Sequence, residues 1–318
     1  QLASILLVFI TIFIVVERTS RKNALYSPQS SNFKPTKIIQ LKGMYNFIAF
    51  FFCLMTVFVK MSSTEMNTMQ IVFVRVVFTL ILTFIILKRK KINMWGQRKK
   101  ILIMRGITGS VALFFVYESI NRLSLSEATI IQYLYPIFIS IFAHFILYEK
   151  LSKKVFYSAI IGFIGIYVVL DFPLLVNNLK IDPNSLMIAM VGSVLTALAY
   201  VLVRHASNNE SPYVIMFYFP LFTVPISAPF ALIDWSHPDQ KGWLILLMIG
   251  VCTQLGQTFL TFGYKTLQAS KAGLTSYVQV PFSAIFGYLI FYENISFNFV
   301  LGTILVFISI SLIMRENK

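Results

Sequence analysis

The chain is written as ten apolar runs, each close to the ~20 residues that a helix needs to cross ~30 Å of hydrocarbon. They cover approximately 43–59, 70–87, 101–120, 128–147, 155–170, 186–203, 213–232, 243–260, 272–291 and 298–314. None has the strict alternation of a barrel strand, and a backbone in lipid must satisfy its own polar groups, so the runs predict helices. Composition agrees, since 57% of the 318 residues are apolar and 12% are charged, about half the charged share of a soluble domain. The expected fold class is an all-α membrane protein with ten transmembrane helices.

A net charge of +15 raises nucleic acid as a partner, but its placement argues for a bilayer instead. Seven Lys or Arg lie between Lys88 and Lys100. With that loop in the cytoplasm, the inner loops and C-terminus after residue 43 hold fifteen basic residues and the outer loops four, as the positive-inside rule requires. No contiguous basic face with a soluble module behind it is written here, so no nucleic-acid partner is expected. The two cysteines, Cys53 and Cys252, fall inside runs without metal-ligand spacing and read as packing residues. No cofactor and no metal are expected.

The segment 123–152 and the segment 267–296, 144 positions on, share eleven identities in thirty gapless positions. Both end alike, "FILYEKLS" and "LIFYENIS". The same shift carries residue 43 to 187, where hydrophobicity resumes after "DFPLLVNNLKIDPNS". Two homologous halves of five spans are therefore expected, 43–170 and 186–318. Because five is odd, the second half enters the membrane from the opposite side. Inverted repeats with a site at the midplane between them are an architecture of alternating-access transporters.

Residues 43–318 resemble EamA-type members of the drug/metabolite transporter superfamily. Arg75, "RGITGS", "LSEATIIQYLYPIF" leading to "YEKLS", and "YVQVPFSAIFGYLIFYE" carry the likeness. Glu118 departs from the pattern, standing where such families usually have a small apolar residue, and Pro281 is one position out of register with Pro136. The resemblance implies a secondary transporter in a bacterial-type inner membrane with the C-terminus in the cytoplasm. Its substrate would be a small polar metabolite such as an amino acid, an S-adenosylmethionine-like compound or an organic anion. Residues 1–42 stand outside the repeat as an apolar segment and a basic linker. There "LLVFITIFIVVERTSRKNALYS" resembles the membrane part of iron(III) ABC-transporter permeases, and a truncated span or a fusion scar is the expectation.

Ionisable residues inside a membrane are costly and point to function. Arg75, Arg105, Glu118 and His144 qualify, and the shift pairs them with Phe219, Ile249, Phe262 and Tyr288, so the buried charge belongs to the first half. Arg75 and Glu118 lie at comparable depth and are expected to pair. Arg105 reads equally as a lipid-snorkelling residue or as an anion ligand. Glu149 and Glu293 read as boundary residues.

Gln254, Gln257, Thr258 and Thr261 follow i, i+3, i+4, i+7 and give one polar stripe. The repeat predicts its mate at Ser110, Leu113, Phe114 and Tyr117, extended by Asn121. Pro136 and Pro281 cannot donate to the carbonyls four residues back. Gln132, Tyr133, Tyr135, Tyr277 and Gln279 cluster at these breaks, and with Arg75 and Glu118 they complete the expected substrate site. Packing kinks and interhelical hydrogen bonds are the plainer alternatives. An enzyme would need a motif that is not written here, whether HExxH, GxSxG or an Asp-rich prenyl-phosphate signature. A passive channel remains the other reading. The oligomeric state is not legible.

Overall fold

The computed structural model describes residues 35–314 apart from 63–65, 124, 151, 170–181, 234, 281, 283–285, 287–289 and 291–296. The chain divides into two compact units, Gln1–Gln40 and Leu41–Lys318. Of the first, only the residues from Pro35 on are described, as the start of a helix. The N-terminal apolar segment and its permease-like stretch lie outside the described residues, as does Pro281.

Every element in the second unit is helical among the described residues. In chain order they are α1 (Pro35–Ser62), α2 (Thr68–Arg89), α3 (Lys99–Arg122), α4 (Leu125–Gln132), α5 (Tyr135–Leu147) and α6 (Lys153–Val169). There follow α7 (Pro183–Ser207), α8 (Pro212–Ile233), α9 (Gln240–Thr266), α10 (Ala269–Leu274) with a 3₁₀ turn at Thr275–Val278, and α11 (Phe297–Met314). Six segments are long and apolar enough to cross a membrane: Thr68–Arg89, Lys99–Arg122, Ala128–Leu147, Pro183–Ser207, Pro212–Ile233 and Gln240–Thr266. The apolar helices Ile48–Ser62 and Phe297–Leu312 are shorter. Outward-facing side chains such as Ile81, Met104 and Phe145 are exposed, which suits hydrocarbon rather than water.

Helix ends follow local chemistry. The Asn67 side-chain Oδ1 accepts from the Met69 amide at 3.0 Å. Asp182 and Asp239 accept from Ser185 and Gly242 at 3.1 and 2.6 Å. Each supplies an acceptor to an amide that the helix start leaves unpaired. Tyr148 ends α5 in the left-handed region at φ 55°.

The expected break at Pro136 is present, because residues 133 and 134 turn between α4 and α5. The freed carbonyl of Gln132 is not left open for a ligand, however. Ser193 on α7 donates its hydroxyl to it at 3.1 Å. An unpaired carbonyl in hydrocarbon costs several kcal/mol, and a small residue on the facing helix relieves it. In the second half the counterpart region around Tyr277 is the 3₁₀ turn.

Helices packed on one another include α2 on α8, α3 on α7 and α8, α9 on α2, and α6 on α11. The contacts exchange under the 144-residue shift. Gly106 lies under the Phe222 ring and Gly250 under the Phe78 ring, and the shift turns one pair into the other. The Ser309 hydroxyl donates to the Ser158 carbonyl at 2.6 Å, while Gly165 and Gly302 meet backbone to backbone. Again the shift maps the first pair onto the second. Tyr277, the counterpart of Tyr133, donates its hydroxyl to the Tyr133 carbonyl at 3.2 Å. A residue that touches its own counterpart sits beside the operation that relates them.

Candidate functional site

Between α2, α3, α8 and α9 lies a small cavity of about 20 Å³, room for one or two waters. Val76 and Thr79 line it from α2, Arg105 from α3, Phe219 and Pro220 from α8, and Thr253, Gln254, Gln257 and Thr261 from α9. Three of the four predicted stripe residues of α9 are therefore on the wall. Thr253 takes the place of Thr258, whose hydroxyl donates instead to the Gln254 carbonyl at 2.7 Å. The Gln254 amide donates to Thr83 at 3.1 Å, which fixes its side chain.

The mate predicted on α3 is not part of this wall. Ser110 stands 2.8 Å from the Thr223 hydroxyl and bonds the Gly106 carbonyl, joining α3 to α8. The counterparts of Ser110 and Thr223, Gln254 and Thr79, both face the cavity. Serine is short enough to let its helices close on each other, whereas glutamine holds them apart. Phe114 packs on the Phe230 ring at 5.3 Å, Tyr117 is half-buried away from the cavity lining, and Asn121 is exposed.

Arg105 is 4% exposed, which excludes snorkelling, and its Nε and Nη1 have no hydrogen-bond partner. Its guanidinium lies 5.0 Å from the Phe219 ring centroid, a cation–π contact that compensates only part of an ion's desolvation. Glycine at 109 leaves the guanidinium its space, since a Cβ there would collide with Nη1. An uncompensated arginine at the centre of a membrane helix costs about 2.5–3.5 kcal/mol on insertion scales, and less nearer its end. Sequence reading left its role open because its depth, six residues from the start of α3, suits either one.

Arg75 is also buried, at 7% exposure. It does not meet Glu118. Its Nη1 lies 3.4 Å from the Met55 sulfur, and its Nε has no partner. Glu118 bonds Arg122 at 2.6 Å, one turn along its own helix and partly exposed. The i,i+4 arginine was the nearer cation, and helix geometry satisfies it without any tertiary contact. We therefore expect Glu118→Ala to leave folding nearly unchanged, within about 0.5 kcal/mol. A thermal unfolding scan that shows a drop of several degrees would contradict this placement.

Five tyrosines run in file from the helix breaks toward the arginine. Ring centroids are 6.1 Å apart for Tyr277 and Tyr133, 6.2 Å for Tyr133 and Tyr135, 5.6 Å for Tyr135 and Tyr200, and 5.3 Å for Tyr200 and Tyr264. Tyr200 and Tyr264 lie within electrostatic range of Arg105. Neither was legible as a site residue, because Tyr200 follows small residues on α7 and Tyr264 sits at the C-terminal end of α9. The Gln132 amide donates to Thr196 at 3.1 Å, and the Gln279 carbonyl accepts from Cys53 at 3.1 Å. Both thus hold helices together.

One further cluster closes an end of the bundle. Glu149 accepts from Arg204 Nε at 3.3 Å and from the Ala269 amide at 2.8 Å. Arg204 Nη1 donates to the carbonyls of Tyr264 and Lys265 at 3.1 and 3.0 Å. The ends of α5, α7 and α9 and the start of α10 are tied by one ion pair. A signal for it was available, because the shift carries Glu149 and Arg204 to Glu293 and Lys60, again an acid and a base.

A helical membrane protein with several spans and a buried polar cavity between them has an architecture that transporters use. The chain belongs to the EamA-like transporter family, whose family model matches residues 44–171 and 184–315. It is 25% identical over 271 residues to the pseudopaline exporter CntI of Pseudomonas aeruginosa, covering 85% of this chain and 94% of that one. It is 27% identical over 266 residues to human solute carrier family 35 member G1, covering 78% and 71%. A crystal structure superposes with a TM-score of 0.75 at 15% identity, covering 88% of this chain and 99% of that chain, a likeness of fold alone.

Proposed function

We propose that the protein is a secondary active transporter that moves a small polar metabolite by alternating access. Two inverted five-helix halves, 43–170 and 186–318, would rock about the seam that holds the cavity. The observation that carries this reading is the exchange of contacts. Gly106–Phe222 and Gly250–Phe78, and likewise Ser158–Ser309 and Gly165–Gly302, are what a two-fold relation between halves requires, and they support the ten-span reading. The cavity takes α2 and α3 from one half and α8 and α9 from the other, so relative motion of the halves would open it to one side at a time. Arg105, Gln254, Gln257 and Thr261 form the proposed substrate site, with Tyr133, Tyr135 and Tyr277 leading to it. The charge count places Lys88–Lys100 and the C-terminus in the cytoplasm of a bacterial-type cell. The named relative exports its substrate, and the direction here is left to the assay.

The test is counterflow in proteoliposomes. Vesicles are preloaded with one unlabelled solute from a panel of amino acids, nucleosides, S-adenosylmethionine and di- and tricarboxylates, and uptake of the same labelled solute is followed. A saturable transient overshoot is expected for at least one solute. Flux that rises linearly with concentration and shows no counterflow would make the protein a channel.

A further inference from the structure

We infer that Arg105 is the counter-charge for a carboxylate on the transported solute, and that the cavity beside it binds a small organic acid by its anionic end. This rests on the transporter reading and names the substrate class for that same site.

The argument starts from an imbalance. Arg105 carries a permanent charge, is 4% exposed, faces a cavity, and leaves Nε and Nη1 without hydrogen bonds. The ion pairs formed among the described residues are elsewhere, since Glu118 is held by Arg122 and Glu149 by Arg204. Around the guanidinium stand the Phe219 ring and, within electrostatic range, Tyr200 and Tyr264. None of these is a carboxylate. A structural arginine would be expected to have its donors filled, as Arg204 has. One whose donors are unfilled beside a cavity is suited to an anion that arrives and leaves.

The class of anion follows from the same surroundings. Among the described residues Arg105 is the one cation on the cavity wall, which suits a single carboxylate at that guanidinium; Arg75, the other buried arginine, acts on the same Tyr200 but does not line the cavity. The neighbouring wall offers Gln254 and Gln257 as neutral polar partners, and Thr253 and Thr261 contribute hydroxyl groups. The tyrosine file next to it suits a planar or apolar remainder of the solute. Lipid phosphate is the other source of anionic oxygen, and the experiment separates it.

Thermal unfolding of the purified full chain is recorded with monocarboxylates, dicarboxylates and α-amino acids, each beside its amide or methyl ester. Inorganic phosphate, chloride and solubilised phosphatidylglycerol are run in parallel. At least one carboxylate should raise the melting temperature by several degrees while its neutral derivative does not. Arg105→Met should remove that shift and leave the ligand-free melting temperature equal or higher, because an uncompensated charge has gone. Arg105→Lys keeps the charge without the planar fork and should bind the same acid at least tenfold more weakly. If Arg105→Met does not fold, the lysine variant decides. Affinity equal to that of the unaltered protein overturns the inference.

The inference is also overturned if Arg105→Met melts lower and keeps the carboxylate shift, or if phosphate or lipid stabilises the protein and no carboxylate does. Carboxylate binding through Arg105 without counterflow would defeat the transporter reading alone. Counterflow of carboxyl-free solutes that is indifferent to Arg105 would defeat this inference alone.

Discussion

Gly302→Ala is expected to deprive the protein of most of its folded population, the largest effect of any single-methyl change considered. A Cβ at 302 would collide with the Gly165 carbonyl oxygen and stand 2.7 Å from the Val169 amide nitrogen. Both are backbone atoms of α6, so no rotamer change relieves them, and α6 and α11 must separate along their contact. Overpacking a well-packed core costs about 1–3 kcal/mol where side chains can yield, and here they cannot, so at least ~3 kcal/mol is expected. Gly256→Ala is the matched control. Its Cβ would meet only the Phe52 ring, at 3.0 Å, and a ring can shift by a few tenths of an ångström. Size-exclusion profiles and melting temperatures of the two variants should differ widely. A Gly302→Ala protein that melts within a degree of the parent would mean that the helices do not cross there.

Glu149→Ala is expected to destabilise by about 2–3 kcal/mol. Removing one member of a buried ion pair commonly costs 3–5 kcal/mol, and the figure is reduced because the Arg204 side chain keeps 22% exposure and retains two carbonyl acceptors. The Ala269 amide loses its acceptor as well. Glu149→Gln retains that acceptor and should cost about half as much. Combining Glu149→Ala with Arg204→Ala should fall well short of the sum of the single effects, since the second removal relieves the orphaned charge. Strict additivity in unfolding measurements would show that the pair does not couple the helix ends.

Much of this arrangement was written in the sequence, and its errors have physical causes. Among the described residues the apolar runs mark helices because hydrocarbon leaves the backbone no other way to be satisfied. Pro136 marks a break for a local reason, the missing amide, although Pro220, Pro225 and Pro229 leave α8 continuous. The stripe on α9 is visible because four polar residues on one helical face have few uses in lipid. Symmetry then misled at Ser110. The repeat preserves backbone relations, such as glycine under phenylalanine, but not side-chain length, and a serine closes the gap that a glutamine props open. The Arg75–Glu118 pairing failed differently, because equal depth says nothing of azimuth and Arg122 was one turn away. Arg204 lay hidden for want of comparing the halves position by position, where acid and base recur together.

The one-sidedness of the buried charge has an electrical consequence. Arg105 answers to Ile249 and Arg75 to Phe219, so on the proposed two-fold reading one half carries a positive site that two identical subunits would have had to carry twice. With an anion seated, the site around Arg105 is neutral, and without one it is positive. A field of 100 mV acts with about 2.3 kcal/mol on a unit charge carried fully across it. On the proposed cycle, voltage would therefore bear more on the return of the empty site than on the loaded step, so that current and cargo move in different halves of the cycle.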